Sequence, residues 1–442
     1  MKFISKKLLG GMLLTSVLPT ALLLASCASN AEESVFDTGI TQETENYYGQ
    51  KLEAVSPDVK VRKTILLTAG GSVNDKAFNQ SALESMKLYQ KQAGILDDGT
   101  ISYKETIEDE KLSAAYTYAL DNNFKTWVLT GFQQGEFLGV WLENPANKAA
   151  FIEQGIIVVG IDWDGSTILP EGQFLGLGFK TQESSWVVGY AASEYLSTTD
   201  TPYLSSFGGG VFDGVVDFNN GFLQGMLDWN TNNPKTPVRF HSGNMETDKI
   251  VLNTGFESTS DAMQIVKDIV GTSDSKSPKI ILPVAGSLGA TTLDDIKAKK
   301  SGQMIIGVDS NQALAFPSDK ETFFSSVEKK VAVGVYKALM LIAGIPLDFI
   351  SADKETNDKG FEGAFAINVK NAFVKYGFDK GLVGYSPSTL AGEEAAKVNA
   401  LLDKSFKLFN EKKPIFEVMT DAGKNQILLN AMVVQINTVK LI

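Results

Sequence analysis

Six places in this chain set carboxylates, amides, glycines or phenylalanines directly behind a short apolar run. They are Ala69-Gly70-Gly71-Ser72-Val73-Asn74-Asp75-Lys76-Ala77-Phe78-Asn79, Gly131-Phe132-Gln133-Gln134, Asp162-Trp163-Asp164-Gly165, Gly208-Gly209-Gly210-Val211-Phe212-Asp213, Gly286-Ser287-Leu288-Gly289 and Asp309-Ser310-Asn311-Gln312. Carboxylates accept hydrogen bonds, amides donate and accept, and aromatic rings stack on flat ligands. That is the chemistry of recognition. Catalysis has little to draw on. The chain holds one histidine, His241, and one cysteine, Cys27, so Cys/His zinc sites are excluded and a Ser-His-Asp enzyme would depend on His241 alone. The pair Asp162/Asp164 could seat a metal ion, but no further ligands stand nearby, and no metal site is expected. The glycines at 208–210 lack the Gly-Lys-Ser/Thr ending of a phosphate loop, which disfavours a phosphorylated ligand.

Parallel strands must carry these turns. Strand-like runs fall at Thr64–Ala69, Thr126–Thr130, Ile156–Ile161, Phe174–Gly178, Tyr203–Phe207, Lys279–Ala285 and Met304–Val308. Helical patterns lie between them. In Gln80–Ala93 the residues Ala82, Met86, Tyr89 and Ala93 share one face, and Gln182–Leu196 pairs Trp186 with Tyr190. Strand–helix alternation predicts parallel sheets covered on both faces, and the number of strands predicts two α/β lobes. Ligands of open α/β sheets bind beyond the carboxyl ends of the strands, where all six turns fall. No internal sequence repeat is visible. Toward the end, Leu401, Leu402, Phe406 and Phe409 are expected as core of a helix.

The N-terminus reads as an export signal: Lys2, Lys6 and Lys7, an apolar stretch Leu8–Leu24, then Ala25-Ser26-Cys27. Thr15, Ser16, Pro19 and Thr20 interrupt the stretch, against a spanning helix. Leu24-Ala25-Ser26-Cys27 closely resembles a bacterial lipobox, which implies cleavage of residues 1–26 and acyl chains such as palmitate on Cys27. The three lysines leave with the signal, so 40 basic side chains become 37 against 52 acidic, a formal charge of −15. Such a surface repels nucleic-acid backbones, and no nucleic-acid partner is expected. Residues 27–57 are polar and acidic and are expected as a flexible tether, the alternative being an ordered extension docked through Tyr47, Tyr48 and Leu52.

Asn74-Asp75-Lys76-Ala77-Phe78-Asn79-Gln80-Ser81 is similar to a signature of the basic membrane protein family, the PnrA-like substrate-binding lipoproteins of ABC importers. The similarity continues through Gly189-Tyr190-Ala191-Ala192, Phe218-Asn219-Asn220-Gly221-Phe222, Val284-Ala285-Gly286, Gly307-Val308-Asp309-Ser310 and Ser325-Ser326-Val327-Glu328-Lys329. Together with the tether it resembles the form found in mollicutes. The resemblance implies a type I periplasmic-binding-protein fold, two Rossmann-like lobes joined by three crossover segments. Lobe one is expected at 58–181 plus 327–347, and lobe two at 182–326 plus 348–442.

The resemblance also implies roles. Phe78 would stack on a purine, with Phe212 on the opposite face and Phe132 or Trp163 as alternatives. Asp162 would hydrogen-bond the base, unless it caps the next helix. Asp309 would hold the ribose hydroxyls with Lys329, a one-residue slip exchanging Lys329 for Lys330. Gly286 would let the backbone approach the sugar, and Asn74 and Asp75 would complete the ligand set. The family's usual aspartate nine residues before the stacking phenylalanine is Ala69 here, so one polar contact is lost, or Asn74 or Ser72 replaces it. The expected protein is a non-enzymatic, monomeric nucleoside receptor without a cofactor, lipid-anchored on the extracellular face of the cell membrane beside an ABC permease. The alternatives are a receptor of the same fold for a sugar or autoinducer-like ligand, a nucleoside hydrolase using Asp162 and Asp164, and a surface adhesin that has lost its ligand.

Overall fold

The computed structural model describes residues 59–93, 101–243, 248–271, 276–345, 365–416 and 422–439. Cys27, the export signal and residues 27–57 lie outside the described residues, as does the side chain of Ala93. Twelve strands are described: β1 (Thr64–Thr68), β2 (Ile101–Lys104), β3 (Thr126–Thr130), β4 (Ile157–Ile161), β5 (Phe174–Phe179), β6 (Tyr203–Gly208), β7 (Arg239–Phe240), β8 (Ile280–Val284), β9 (Met304–Asp309), β10 (Phe323–Lys329), β11 (Ala372–Tyr376) and β12 (Val383–Tyr385). The α-helices are α1 (Phe78–Ala93), α2 (Leu112–Asp121), α3 (Gln133–Leu142), α4 (Pro145–Glu153), α5 (Thr181–Leu196), α6 (Asp213–Asn232), α7 (Ser260–Val270), α8 (Leu288–Lys299), α9 (Gln312–Ala315), α10 (Val331–Ile342), α11 (Glu393–Lys412) and α12 (Ala422–Thr438).

The strands form two six-stranded sheets, ordered β11-β5-β4-β3-β1-β2 and β12-β10-β9-β8-β6-β7. All pairings are parallel except β12 on β10. From β1 to β5 and from β6 to β10 the two halves repeat the same winding, although the sequence shows no repeat. β1, β3, β4 and β5 are buried along their whole length, which is why they read as continuous apolar runs rather than alternating ones. Their side chains feed two cores by parity. Leu66, Val128, Val159 and Leu177 pack under α1 and α10, whereas Ile65, Leu67, Trp127 and Val158 pack under α2 to α4. The second sheet does the same, with Leu282 and Ile306 toward α5, α6, α11 and α12, and Ile281 and Ile305 toward α7 and α8. Ala82, Met86 and Tyr89 are buried as the helical pattern predicts. Leu402 and Phe409 are buried in α11, and Leu401 and Phe406 pack against the same core half-buried.

The chain passes between lobes three times: after β5, after β10, and between β11 and β12. The two lobes divide differently from the expectation. The segment 327–329 closes β10 in the second sheet, and only from α10 does the chain rejoin the first lobe. β11, expected in lobe two, extends the first sheet by pairing with β5. The glycines of β5 explain the choice. A Cβ on Gly176 would lie 2.6 Å from Phe373 Cδ2, and one on Gly178 would lie 2.9 Å from Phe373 Cζ, so the two glycines make the space into which β11 lays its ring. Among the described residues no helix is long and apolar enough to cross a membrane.

Candidate ligand-binding cleft

In each sheet the winding reverses between its first strand and the next one inward, at β1/β3 and at β6/β8. The carboxyl ends at these two switch points face each other and bound a cleft of ≈ 630 Å³, its open mouth included. The turn after β1, Gly131 and Gln133 after β3, and Asp162 after β4 line one side. The other side is built by the start of α6, by Val284 to Ser287 after β8, by Asp309 and by Lys329.

Asp162 and Asp309 occupy the same place in their respective lobes, immediately after or at the end of β4 and β9. Both take the left-handed backbone region, with φ of 70° and 66°. That conformation is uncommon for a residue with a Cβ, and Asp is among the few types that tolerate it. It turns both carboxylates into the cleft. Gly214 at the start of α6 reaches Asp162 from the opposite lobe, where a Cβ would fall 2.5 Å from Asp162 Oδ2. The absence of a side chain at Gly214 allows this close approach.

Among the described residues, Lys329, the end of β10, is the one cation lining the cleft. Its ammonium pairs with Asp162, and both side chains are nearly inaccessible. Nζ also sits 4.4 Å from the centre of the Phe78 ring, 5.6 Å from Phe179 and 5.9 Å from Phe218, an aromatic collar that favours a desolvated cation. Asp309 is half-buried, and desolvation by the protein around it pushes its carboxyl up to about 7; Lys329 opposes the rise, and Asp75 and Asp162 add repulsion. Asp217, one turn into α6, is likewise raised to about 7, first by burial, with Lys375 opposing and Asp213 and Asp162 repelling.

Of the expected ligand set, Phe78, Asp75, Asp162, Phe212, Gly286, Asp309 and Lys329 line the cleft. Asn74 does not: it is exposed and absent from the lining. It stands in the turn that delivers the chain from β1 to α1. Asp75 is present, but its carboxylate is already engaged, accepting from the backbone N–H of Ala77, Asn79 and Gln80 at 3.0, 2.8 and 3.1 Å. It caps α1 and so sets the position of Phe78. Lys329 rather than Lys330 enters the cleft.

Ala69 has no replacement in Asn74 or Ser72, whose hydroxyl donates to Glu105 at 2.8 Å. The polar side chain beside Ala69 is Gln133. Phe212 and Phe132, weighed as alternatives, stack on each other across the lobes with ring centres 3.7 Å apart. Trp163 is buried beneath the first sheet and packs on Phe174. The carboxylate of Asp164 turns to Ser166, accepting from its backbone N–H at 2.9 Å, so Asp162 and Asp164 do not form a dyad. Among the described residues no group of three or more Asp, Glu, His or Cys could hold a metal ion.

Phe256 and Asp217 escaped the sequence reading. Phe218 and Gln133 stood in quoted motifs without a role. Phe256 follows no recognisable strand; its carbonyl accepts from the Ser287 hydroxyl at 2.6 Å and its ring packs 5.9 Å from Phe212, which together seat it in the cleft.

Residues 62–243 match the profile of the Bmp family, described as ABC transporter substrate-binding protein, PnrA-like. That segment belongs to the PnrA-like family. Beyond it, basic membrane protein A of Borreliella burgdorferi is 24% identical over 77% of this chain and 84% of its own length. The ABC transporter nucleoside-binding protein BmpA of Lactococcus lactis is 23% identical over 72% of this chain and 82% of its own. A solute-binding protein of an ABC transporter system from Aeropyrum pernix has the same fold, with a TM-score of 0.60 at 16% identity, covering 85% of this chain and 99% of that one. The PnrA-like segment contains all of the first sheet except β11, and the first strand and helix of the second half.

Proposed function

We propose that this PnrA-like substrate-binding protein is a receptor for nucleosides, purine nucleosides in the first place, and that it passes them unchanged to an ABC permease. One observation carries the reading: the cleft has two chemically distinct parts. Phe78, Phe212, Phe218 and Phe256 offer rings to a flat base, while Asp309, Asp162 and Lys329 offer acceptors and a cation to a polyhydroxyl. A nucleoside is divided the same way. The excess of carboxylates over cations disfavours a phosphate on the ligand. The printed name of the Lactococcus lactis relative supports the same ligand class.

In this reading the base stacks on aromatic faces, each contributing about 1–3 kcal/mol. Asp309 accepts from ribose hydroxyls, and Lys329 steadies the carboxylates. Closure of the lobes buries the ligand between the two sets of strand ends. Lipid on Cys27 holds the receptor at the outer membrane face, next to its permease.

Calorimetric titration of the full chain in detergent with adenosine, guanosine, inosine, uridine and ribose tests the proposal. Binding of a purine nucleoside in preference to ribose is expected. No heat with any nucleoside removes it, and tighter binding of ribose than inosine would make this a sugar receptor.

A further inference from the structure

Gln133 opens α3 two residues beyond the left-handed Gly131. Its carboxamide lies along the cleft wall: Nε2 is 3.2 Å from where a Gly70 Cβ would sit, and Oε1 is 3.1 Å from the same position at Gly131. The side chain is half-buried and lines the cleft. Among the described residues, no hydrogen bond engages either end of this amide. Its neighbour Gln134 shows the opposite case. That amide is buried and committed, accepting from Tyr116 Oη at 2.7 Å and donating to the Leu67 carbonyl at 2.9 Å. The Phe256 ring approaches from the other lobe, 3.8 Å from the same Gly70 Cβ position. A flat base seated against Phe256 therefore turns an edge toward Gln133.

We propose that Gln133 is the specificity-determining residue that reads the six-position edge of the base, an inference that rests on the nucleoside reading above. A carboxamide presents a donor and an acceptor side by side. A 6-aminopurine offers an N–H beside a bare ring nitrogen, and a 6-oxopurine offers a carbonyl beside a ring N–H. Turning the amide by half a rotation matches either edge, in the way glutamine pairs with adenine elsewhere. Asp162, held as the partner of the Lys329 ammonium, accepts only and could not serve both. Gln133 thus makes the receptor accept amino- and oxopurines alike while disfavouring a base with no six-substituent.

The test is titration of the full chain in detergent with adenosine, inosine and purine riboside, which lacks the substituent. In the native protein, adenosine and inosine should bind with similar Kd and roughly 3- to 10-fold more tightly than purine riboside, the range of one net hydrogen bond. In Gln133→Leu, and in Gln133→Ala as a second variant, adenosine and inosine should weaken by roughly 3- to 10-fold more than purine riboside, which has only its ring nitrogen to offer the amide, so that the three affinities converge. An equal loss for all three ligands, or no change for any, overturns the assignment. If the native protein binds none of them, the nucleoside reading falls and this inference with it.

Discussion

The ammonium of Lys329, at the end of β10 in the second sheet, pairs with the carboxylate of Asp162, just beyond β4 in the first. The bond spans the cleft, and its two side chains are only 3% and 7% exposed. Lys329→Met would leave that carboxylate buried beside phenylalanine rings without its cation. Removing one partner of a buried pair costs about 3–5 kcal/mol, whereas removing both is far milder. Urea unfolding should show the large loss in Lys329→Met and recovery of most of it in the double variant with Asp162→Asn. Asn is chosen because it tolerates the left-handed backbone there. A single-variant loss below about 1 kcal/mol would mean that the pair is exchanged for water.

The raised carboxyls of Asp309 and Asp217, both at about 7, make stability depend on pH. Their folded-state values lie above the ordinary value of 3.8, so the folded state holds these protons more tightly than the unfolded one. The stabilisation is complete below about pH 4 and is lost as pH rises through about 7. Thermal melting should therefore weaken between roughly pH 5 and pH 8. Asp309→Asn and Asp217→Asn should each flatten part of that slope. An unchanged slope in both variants would assign it to other groups.

Phe132 and Phe212 face each other from opposite lobes. A double-mutant cycle with Phe132→Ala and Phe212→Ala, read by urea unfolding, should give a coupling of about 0.5–1.5 kcal/mol, the range of a packed aromatic pair. Zero coupling would show that the rings meet without holding the lobes.

Cys27 is the proposed lipid site. Cys27→Ser should move the protein from the membrane fraction to the medium, because anchoring depends on the acyl chains. Nucleoside affinity of the released protein should equal that of the native one. Retention at the membrane would point to an uncleaved signal acting as the anchor.

The central parallel strands were legible because burial on both faces leaves an unbroken apolar run. β2, β11 and β12 were not, being edge strands of three to five residues whose partly exposed sequences resemble loops. β10 escaped as well, since the serines and charges in Phe323-Phe324-Ser325-Ser326-Val327-Glu328-Lys329 break its apolar character. In the site, Asp162, Asp309, Phe78 and Gly286 were legible because each follows or ends a readable strand, and strand ends define the cleft edge. Asn74 was misplaced by the same logic, since a turn of this length holds residues on both its inner and outer sides.

By itself, then, the sequence determined the class of fold, the edge of the sheets where recognition chemistry gathers, and the shortage of catalytic groups. These follow from local period and residue type. Only the tertiary structure decided that β11 joins the first sheet, that Asp75 caps a helix, that Phe212 meets Phe132, and that Gln133, Phe218 and Phe256 border the cleft. It also decided that the lysine ending one sheet pairs with the aspartate following a strand of the other. That last pair joins residues 167 positions apart, and it depends on how two independently wound sheets face each other, which no local pattern encodes.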